Sequence, residues 1–352
     1  MGTQDRHPLT EVEAERREPG RGRAARTPSE IPRAGWRDIL LRVWQKLGDD
    51  NVSLVAAGVA LNTLLAVFPA MAVLASIYGM FASPAEVGRE IAPFYGILPH
   101  DAAAIIQAQL EALARPQAHT LGIAAVVSLV VSIYYSSQGV AALMSATNIA
   151  YSEEERRGFL MRLVVALGFA LGAVAGFVLM LLLTLAVPLG LQHLPLPWFV
   201  NTGALVLRWI LLWLFAALGL AIVYRYAPSR QNARWRWVSW GSVIAATLWL
   251  ISSVLFSLYV RDFGSYGKTY GALGGVIVLI MWFYISSMIV VIGADVNAEM
   301  ERQTRKDTTV LRTAPLGQRG AYAADTVGPS SNEAADAKAK APAQGKSKLS
   351  GT

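Results

Sequence analysis

The chain has 352 residues, 54% of them hydrophobic and 16% charged, with a formal net charge of +7 and no cysteine; its mean hydropathy is +0.41. Soluble domains carry about 25% charged residues, so much of this surface is not built for water. The lack of cysteine excludes disulfides, thiolate metal sites and cysteine nucleophiles.

Residues 1–33 are rich in Arg, Glu, Pro and Gly and poor in apolar side chains, the composition of a disordered tail. No apolar core follows the first charges, as a signal peptide would require. Next comes WRDILLRVWQKLGDDN, in which Trp36, Ile39, Leu40, Val43, Trp44 and Leu47 recur at helical spacing and form one stripe. Arg37, Arg42 and Lys46 lie away from that stripe, and Gly48 is placed to cap the helix. This pattern predicts an amphipathic helix lying in the membrane interface; a helix packed on the end of a bundle is the alternative.

Hydropathy then predicts six spans, near 52–80, 121–142, 163–185, 199–224, 238–260 and 271–295. The expected fold is all-α: a polytopic bundle of six transmembrane helices plus the N-terminal interfacial helix, together covering 34–302. The connection 81–120 is the one long external loop, with helical patterning of its own. Residues 303–352 read as a second disordered, basic tail. Arg156, Arg157 and Arg162 lie between spans two and three, and Arg225, Arg230, Arg234 and Arg236 between four and five. That asymmetry predicts cytoplasmic termini.

Polar residues inside apolar spans are candidates for function or for interhelical hydrogen bonding. Asn62 and Thr63 lie in span one, Tyr134, Tyr135 and Gln138 in span two, and Asn148 beyond it. Arg208, within VLRWILLW of span four, is the sharpest of these: a buried charge there needs an acceptor or an anion, unless it snorkels to the interface. Asp295, at the inner end of span six, reads as interfacial. Pro69 removes a backbone hydrogen bond within span one and favours a kink. Gly168, Gly172 and Gly176 repeat every four residues in span three, as close helix packing or an oligomer face would use them.

Enzymatic patterns are lacking. His7, His100, His119 and His193 form no zinc-binding spacing, GSYGKTYG lacks P-loop order, and there is no G-x-S-x-G elbow. The expectation is a non-enzyme with no metal, no cofactor and no nucleic-acid partner, since topology and anionic lipid already account for the basic flanks.

Span one reads AAGVALNTLLAVFPAMAVLASIYG and span six YGALGGVIVLIMWFYISSMIVVIGADVNAEMER. Together they resemble the BrkB/YihY family of bacterial inner-membrane proteins, over roughly Trp36–Arg302. The motif positions are Pro69 in span one and Tyr270, Gly271, Gly274, Trp282, Tyr284, Gly293, Asp295, Asn297 and Glu299 in span six. Asn148 to Tyr151 also fit the end of span two. Leu61 and Asn62 stand where the family usually has an aromatic pair, Ala66 replaces a usual Ser, and Asp295 a usual Glu. Some members carry a ribonuclease BN label and others a virulence label. Membrane lipids are the expected partners. The resemblance and the polar residues together imply transport or handling of an amphiphilic or anionic envelope substrate such as lipid. A non-transporting membrane scaffold for envelope assembly is the alternative, and ribonuclease activity is disfavoured. A solvent-accessible polar cavity would favour transport; polar residues paired in a dry bundle would favour the scaffold.

Overall fold

The computed structural model describes residues 18–79, 123–192, 198–262, 272–310 and 314–333. The fold is all-helical, and among the described residues the only extended pairing is an isolated bridge between Ala233 and Thr309. A short 3-10 turn, Pro28–Glu30, leads into α1 (Arg33–Asp49). The long helices are α2 (Val52–Gly79), α3 (Ile123–Tyr151) and α4 (Phe159–Gln192), then α5 (Trp198–Tyr226), α6 (Trp235–Asp262) and α7 (Ala272–Glu301). A single turn, α8 (Tyr322–Asp325), follows. The external loop predicted over 81–120 lies outside the described residues.

Each apolar stretch marked from hydropathy falls on one long helix. Among the described residues, three helices are long and apolar enough to cross a membrane, within α5, α6 and α7, or four if the bent pair α1–α2 forms one broken span. The axes of α1 and α2 differ by 67°. The break is made by Asn51, which adopts a positive φ of 48°, a conformation that Asn tolerates better than most residues. Gly48, expected as the cap, stays inside α1, and Asp50 is the cap residue, its amide bonding back to the Lys46 carbonyl.

α7 is the axis of the bundle, touching α1, α2, α3, α6 and α8. The outer helices expose large apolar side chains such as Leu171, Leu214, Ile251 and Leu255. A row of these in water would be costly; facing lipid they need no cover.

α3 and α7 run past the predicted ends of their spans, to Tyr151 and Glu301. Hydropathy falls there because polar residues return, but the helices continue because those residues are paired inside the protein. Composition also led to an expectation of disorder over 1–33 and 303–352. The structure gives residues 18–32, 303–310 and 314–333 defined positions, and the two tails bond to each other. Gln303 Nε2 donates to the Arg21 carbonyl at 2.8 Å, Thr304 Oγ1 to the Ala25 carbonyl at 2.7 Å, and the Arg305 amide to the Arg23 carbonyl at 2.9 Å.

α6 and α7 approach closely at Gly241 and Gly293. A Cβ on Gly241 would sit 2.5 Å from the Gly293 carbonyl and on top of the Asn297 amide; one on Gly293 would meet the Tyr224 hydroxyl and Ala245. The glycine repeat of α4 does not work this way: Gly168 and Gly172 face open space, and only Gly176 meets a neighbour, the Phe215 ring. Gly241→Ala should therefore destabilise the protein by about 1–3 kcal/mol through overpacking, whereas Gly168→Ala should be neutral or gain up to about 1 kcal/mol of helix propensity. Thermal unfolding in detergent measures both, and equal effects would contradict this packing.

Candidate functional site

The last turns of α7 carry two polar rows. Residues four apart share a helix face, so Asp295, Glu299 and Gln303 form one row, and Asn297 and Glu301 another. All five are buried. A carboxylate out of water must be paired and hydrogen-bonded, or its burial costs several kcal/mol. Each row meets its partners on a different element.

The first row faces α1, whose Arg42 and Lys46 are also four residues apart. Arg42 Nε donates to Glu299 Oε2 at 2.6 Å, and its Nη2 to Gln303 Oε1 at 2.8 Å and to the Glu299 carbonyl at 3.1 Å. Arg302 Nη1 donates to the second oxygen of Glu299 at 2.6 Å. Lys46 Nζ stands 3.3 Å from Asp295 Oδ1 and donates to the Ala150 carbonyl. Two i, i+4 pairs thus interlock, with α1 running opposite to α7. Asp295 is the least saturated member: it is fully buried, and neither carboxylate oxygen has a hydrogen-bond partner among the described residues.

The second row faces α6 and the α5–α6 connection. Asn297 Oδ1 accepts from the Gly241 amide at 2.9 Å, and its Nδ2 donates to the Val238 carbonyl at 3.2 Å. These bonds require the bare backbone at Gly241. Arg230 Nη2 donates to Glu301 Oε1 at 2.6 Å, with both side chains wholly buried. The Arg230 guanidinium also lies 4.3 Å from the centroid of the Tyr151 ring, within cation–π range. Thr308 Oγ1 closes the set on Glu301 Oε2 at 2.7 Å.

A further node joins the connections. Asn148 Oδ1 accepts from the Ser229 amide at 2.7 Å, and its Nδ2 donates to Glu155 Oε2 at 3.1 Å. Arg157 holds both Glu155 oxygens, at 2.8 and 3.0 Å. Burial pushes the Glu155 carboxyl up, but the bonds from Arg157 and Asn148 outweigh it and hold the group at about 2. Asp38 behaves alike: burial raises it, while Arg21, at 2.5 Å, and Ser331 bring it below its usual value.

The sequence-predicted candidates do not form one site. Asn148 belongs to the loop node. Asn62 donates to the Gly58 carbonyl of its own helix at 2.8 Å and, with Thr63, lies beside Gly139 where α2 and α3 touch. Tyr134 and Tyr135 are exposed and pack edge to face at 5.7 Å, and Gln138 is half-buried. The side chains of Arg208 and Pro69, and all of Tyr270 and Gly271, lie outside the described residues. Asp295, expected near water, is wholly enclosed, because α1 folds over it. Arg42 and Lys46, expected in solvent, face inward for the same reason.

The motif residues of span six are mostly structural contacts. Gly274 is buried, Trp282 meets Trp249 at 5.9 Å, and Tyr284 shares a 2.7 Å hydrogen bond with Ser53. Gly293, Asp295, Asn297 and Glu299 all belong to the close approach or the polar rows. The family model for virulence factor BrkB matches residues 43–315. The chain belongs to the BrkB family. The ribonuclease-like protein YfkH of Bacillus subtilis is 30% identical over 191 residues, 50% of this chain and 66% of YfkH. A UPF0761 membrane protein of Idiomarina loihiensis is 42% identical over 80 residues, 23% of this chain and 28% of that protein. One of Vibrio cholerae is 36% identical over 116 residues, 32% of this chain and 38% of that protein. The chain thus spans between 28% and 66% of the lengths of these BrkB-like relatives. No solved structure matches. Among the described residues, no group of three or more His, Cys, Asp or Glu has a metal-holding arrangement. The ribonuclease-like label is that of YfkH.

The partners on α7's two rows were missed from sequence. The available signal was the matched spacing of Arg42 and Lys46 with Asp295 and Glu299.

The depressed Glu155 value carries a pH dependence. Its stabilising contribution is complete above the ordinary value of 4.5 and is lost as pH falls toward about 2. The gap in unfolding temperature between the natural chain and Glu155→Gln should therefore be widest near neutrality and shrink through that window. A gap independent of pH would contradict the pairing.

Proposed function

We propose that this BrkB-family membrane protein spans the bacterial inner membrane six times with both termini cytoplasmic, and moves or handles an amphiphilic or anionic envelope substrate such as a lipid. Hydropathy, the helix lengths and the Arg and Lys asymmetry support the topology. The observation that carries the substrate reading is how polar groups divide along the bundle. At the end that holds the described parts of both tails they are buried and paired. Along α2 and α3, Asn62, Thr63 and Gln138 are half-buried, and Tyr134 and Tyr135 are exposed at the side. In a bilayer, polar groups on a bundle's flank meet lipid rather than bulk water. That arrangement suits a molecule with a polar head and apolar tails better than a water-soluble solute.

The scaffold reading has its own support. The segments 18–32, 303–310 and 314–333 make a paired platform on one end, and polar residues there satisfy each other rather than line a cavity.

Two measurements test these readings. Reporter fusions after Arg302 and within 84–115 should report opposite sides of the membrane; same-side results would overturn the topology. Purified protein in liposomes should accelerate exposure of a tail-labelled phospholipid to an external quencher. Tyr134→Phe combined with Gln138→Leu should slow that exchange about tenfold, the order expected for losing polar contacts worth ~1.4 kcal/mol. No acceleration by the natural chain would remove lipid movement and leave the scaffold.

A further inference from the structure

α1 has two unlike faces. The inward face carries Asp38, Ile39, Arg42 and Val43, all buried. The outward face carries Arg33, Arg37, Leu40, Leu41 and Trp44, with Leu40 57%, Leu41 42% and Trp44 76% exposed. An open groove of about 480 Å³ runs along it, lined by Arg33, Trp36, Arg37, Leu40 and Leu41. Trp36 backs the groove against Trp240 of α6, with ring centroids 5.9 Å apart.

The two groove arginines differ from their neighbours. Arg21, Arg23, Arg42, Arg157, Arg230 and Arg302, at the same end of the bundle, each hold a carboxylate. Arg33 and Arg37 are exposed, lie one turn apart, and pair with no carboxylate among the described residues. Two cations on one face without an anion, bordering an exposed apolar strip, leave a specific gap in chemistry. A phosphate diester bearing acyl chains fills both parts of it. Guanidinium groups offer paired donors to phosphate oxygens. Trp favours the level of lipid headgroups. The 67° bend sets α1 closer to the membrane plane than to its normal when α2 stands near the normal. Exposed apolar side chains continue along the chain into α2 through Leu54, Leu61 and Leu65.

We propose that the groove of α1 is a binding site for an anionic phospholipid of the inner leaflet, with the phosphate between Arg33 and Arg37 and an acyl chain along Trp36, Leu40 and Leu41. The site holds a resident lipid against the platform. It is separate from the flank of α2 and α3, and it rests only on the orientation proposed above. Reporter fusions test that orientation by themselves, so a failure of topology and a failure of this site are distinguishable.

The test uses the full chain in nanodiscs of equal phosphatidylglycerol and phosphatidylcholine, with retained lipids counted by native mass spectrometry. The natural chain should keep phosphatidylglycerol preferentially. Arg33→Gln with Arg37→Gln should lower that preference roughly thirtyfold, since each of the two basic residues contributes about 1 kcal/mol at an anionic surface. Arg26→Gln with Arg156→Gln removes the same charge from exposed positions away from the groove and should change it little. Arg33→Lys with Arg37→Lys, which keeps the charge but not the paired donors, should keep an intermediate preference, above that of the Gln pair. That result guards against a folding defect at these positions. Added glycerol phosphate, which has the headgroup chemistry without chains, should not displace the lipid. Equal losses in the two Gln pairs, an undiminished preference in the groove pair, or displacement by glycerol phosphate would each overturn the proposal.

Discussion

The structure depends on one constraint: an apolar helix ends in carboxylates that never reach water. α7 runs from Gly274 through a nearly uncharged stretch and then presents Asp295, Glu299 and Glu301, all buried. Each demands a cation in a region of low dielectric. Lys46 and Arg42 come from α1, Arg230 from the α5–α6 connection, and Arg302 from α7's own last turn. The bend at Asn51 and the path of the α5–α6 connection bring Arg42, Lys46 and Arg230 to these carboxylates.

Buried ion pairs contribute little net stability against well-packed apolar residues, yet removing one partner is costly. Their effect here is therefore on register. Because the rows on α7 and α1 both repeat every four residues, sliding either helix by one residue separates two pairs at once. The Asn297 bonds to the backbone of Gly241 and Val238 fix α6 in the same way. One end of the bundle is thus set by polar geometry, while the flanks are set chiefly by apolar contact with scattered hydrogen bonds such as those of Trp213 to Thr247 and Trp249 to Ser286. A fixed end with a less constrained flank suits a protein that handles amphiphiles from the side.

The helical stretches were legible because twenty apolar residues in a row have few other readings. So was the family, carried by span six. The identity of the polar partners was not. Hydropathy assigns Arg42, Lys46 and Asp295 to water one residue at a time, and only a fold that closes α1 over α7 reverses this. Residues 303–352 read as disordered because they contain little apolar surface; the described parts, 303–310 and 314–333, are held by hydrogen bonds between backbone and polar side chains, which composition does not reveal. Of the polar candidates, Asn62, Thr63 and Gln138 lie where α2 and α3 meet, whereas Asn148 sits apart in the loop node. Gln138 and Asn148 are ten residues apart on one helix, or about 15 Å, and belong to different layers.

The most direct test of this account is a double-mutant cycle on Arg42→Met and Glu299→Leu, read as unfolding free energy in nanodiscs. Glu299→Leu leaves the buried Arg42 without a carboxylate and should cost about 3–5 kcal/mol; Arg42→Met should cost less, because Glu299 keeps Arg302 at 2.6 Å. The double change removes both charges and should cost less than the sum by more than ~1.5 kcal/mol. Additive costs would mean that α1 is held on α7 by apolar packing alone, and that the polar rows do not organise the bundle.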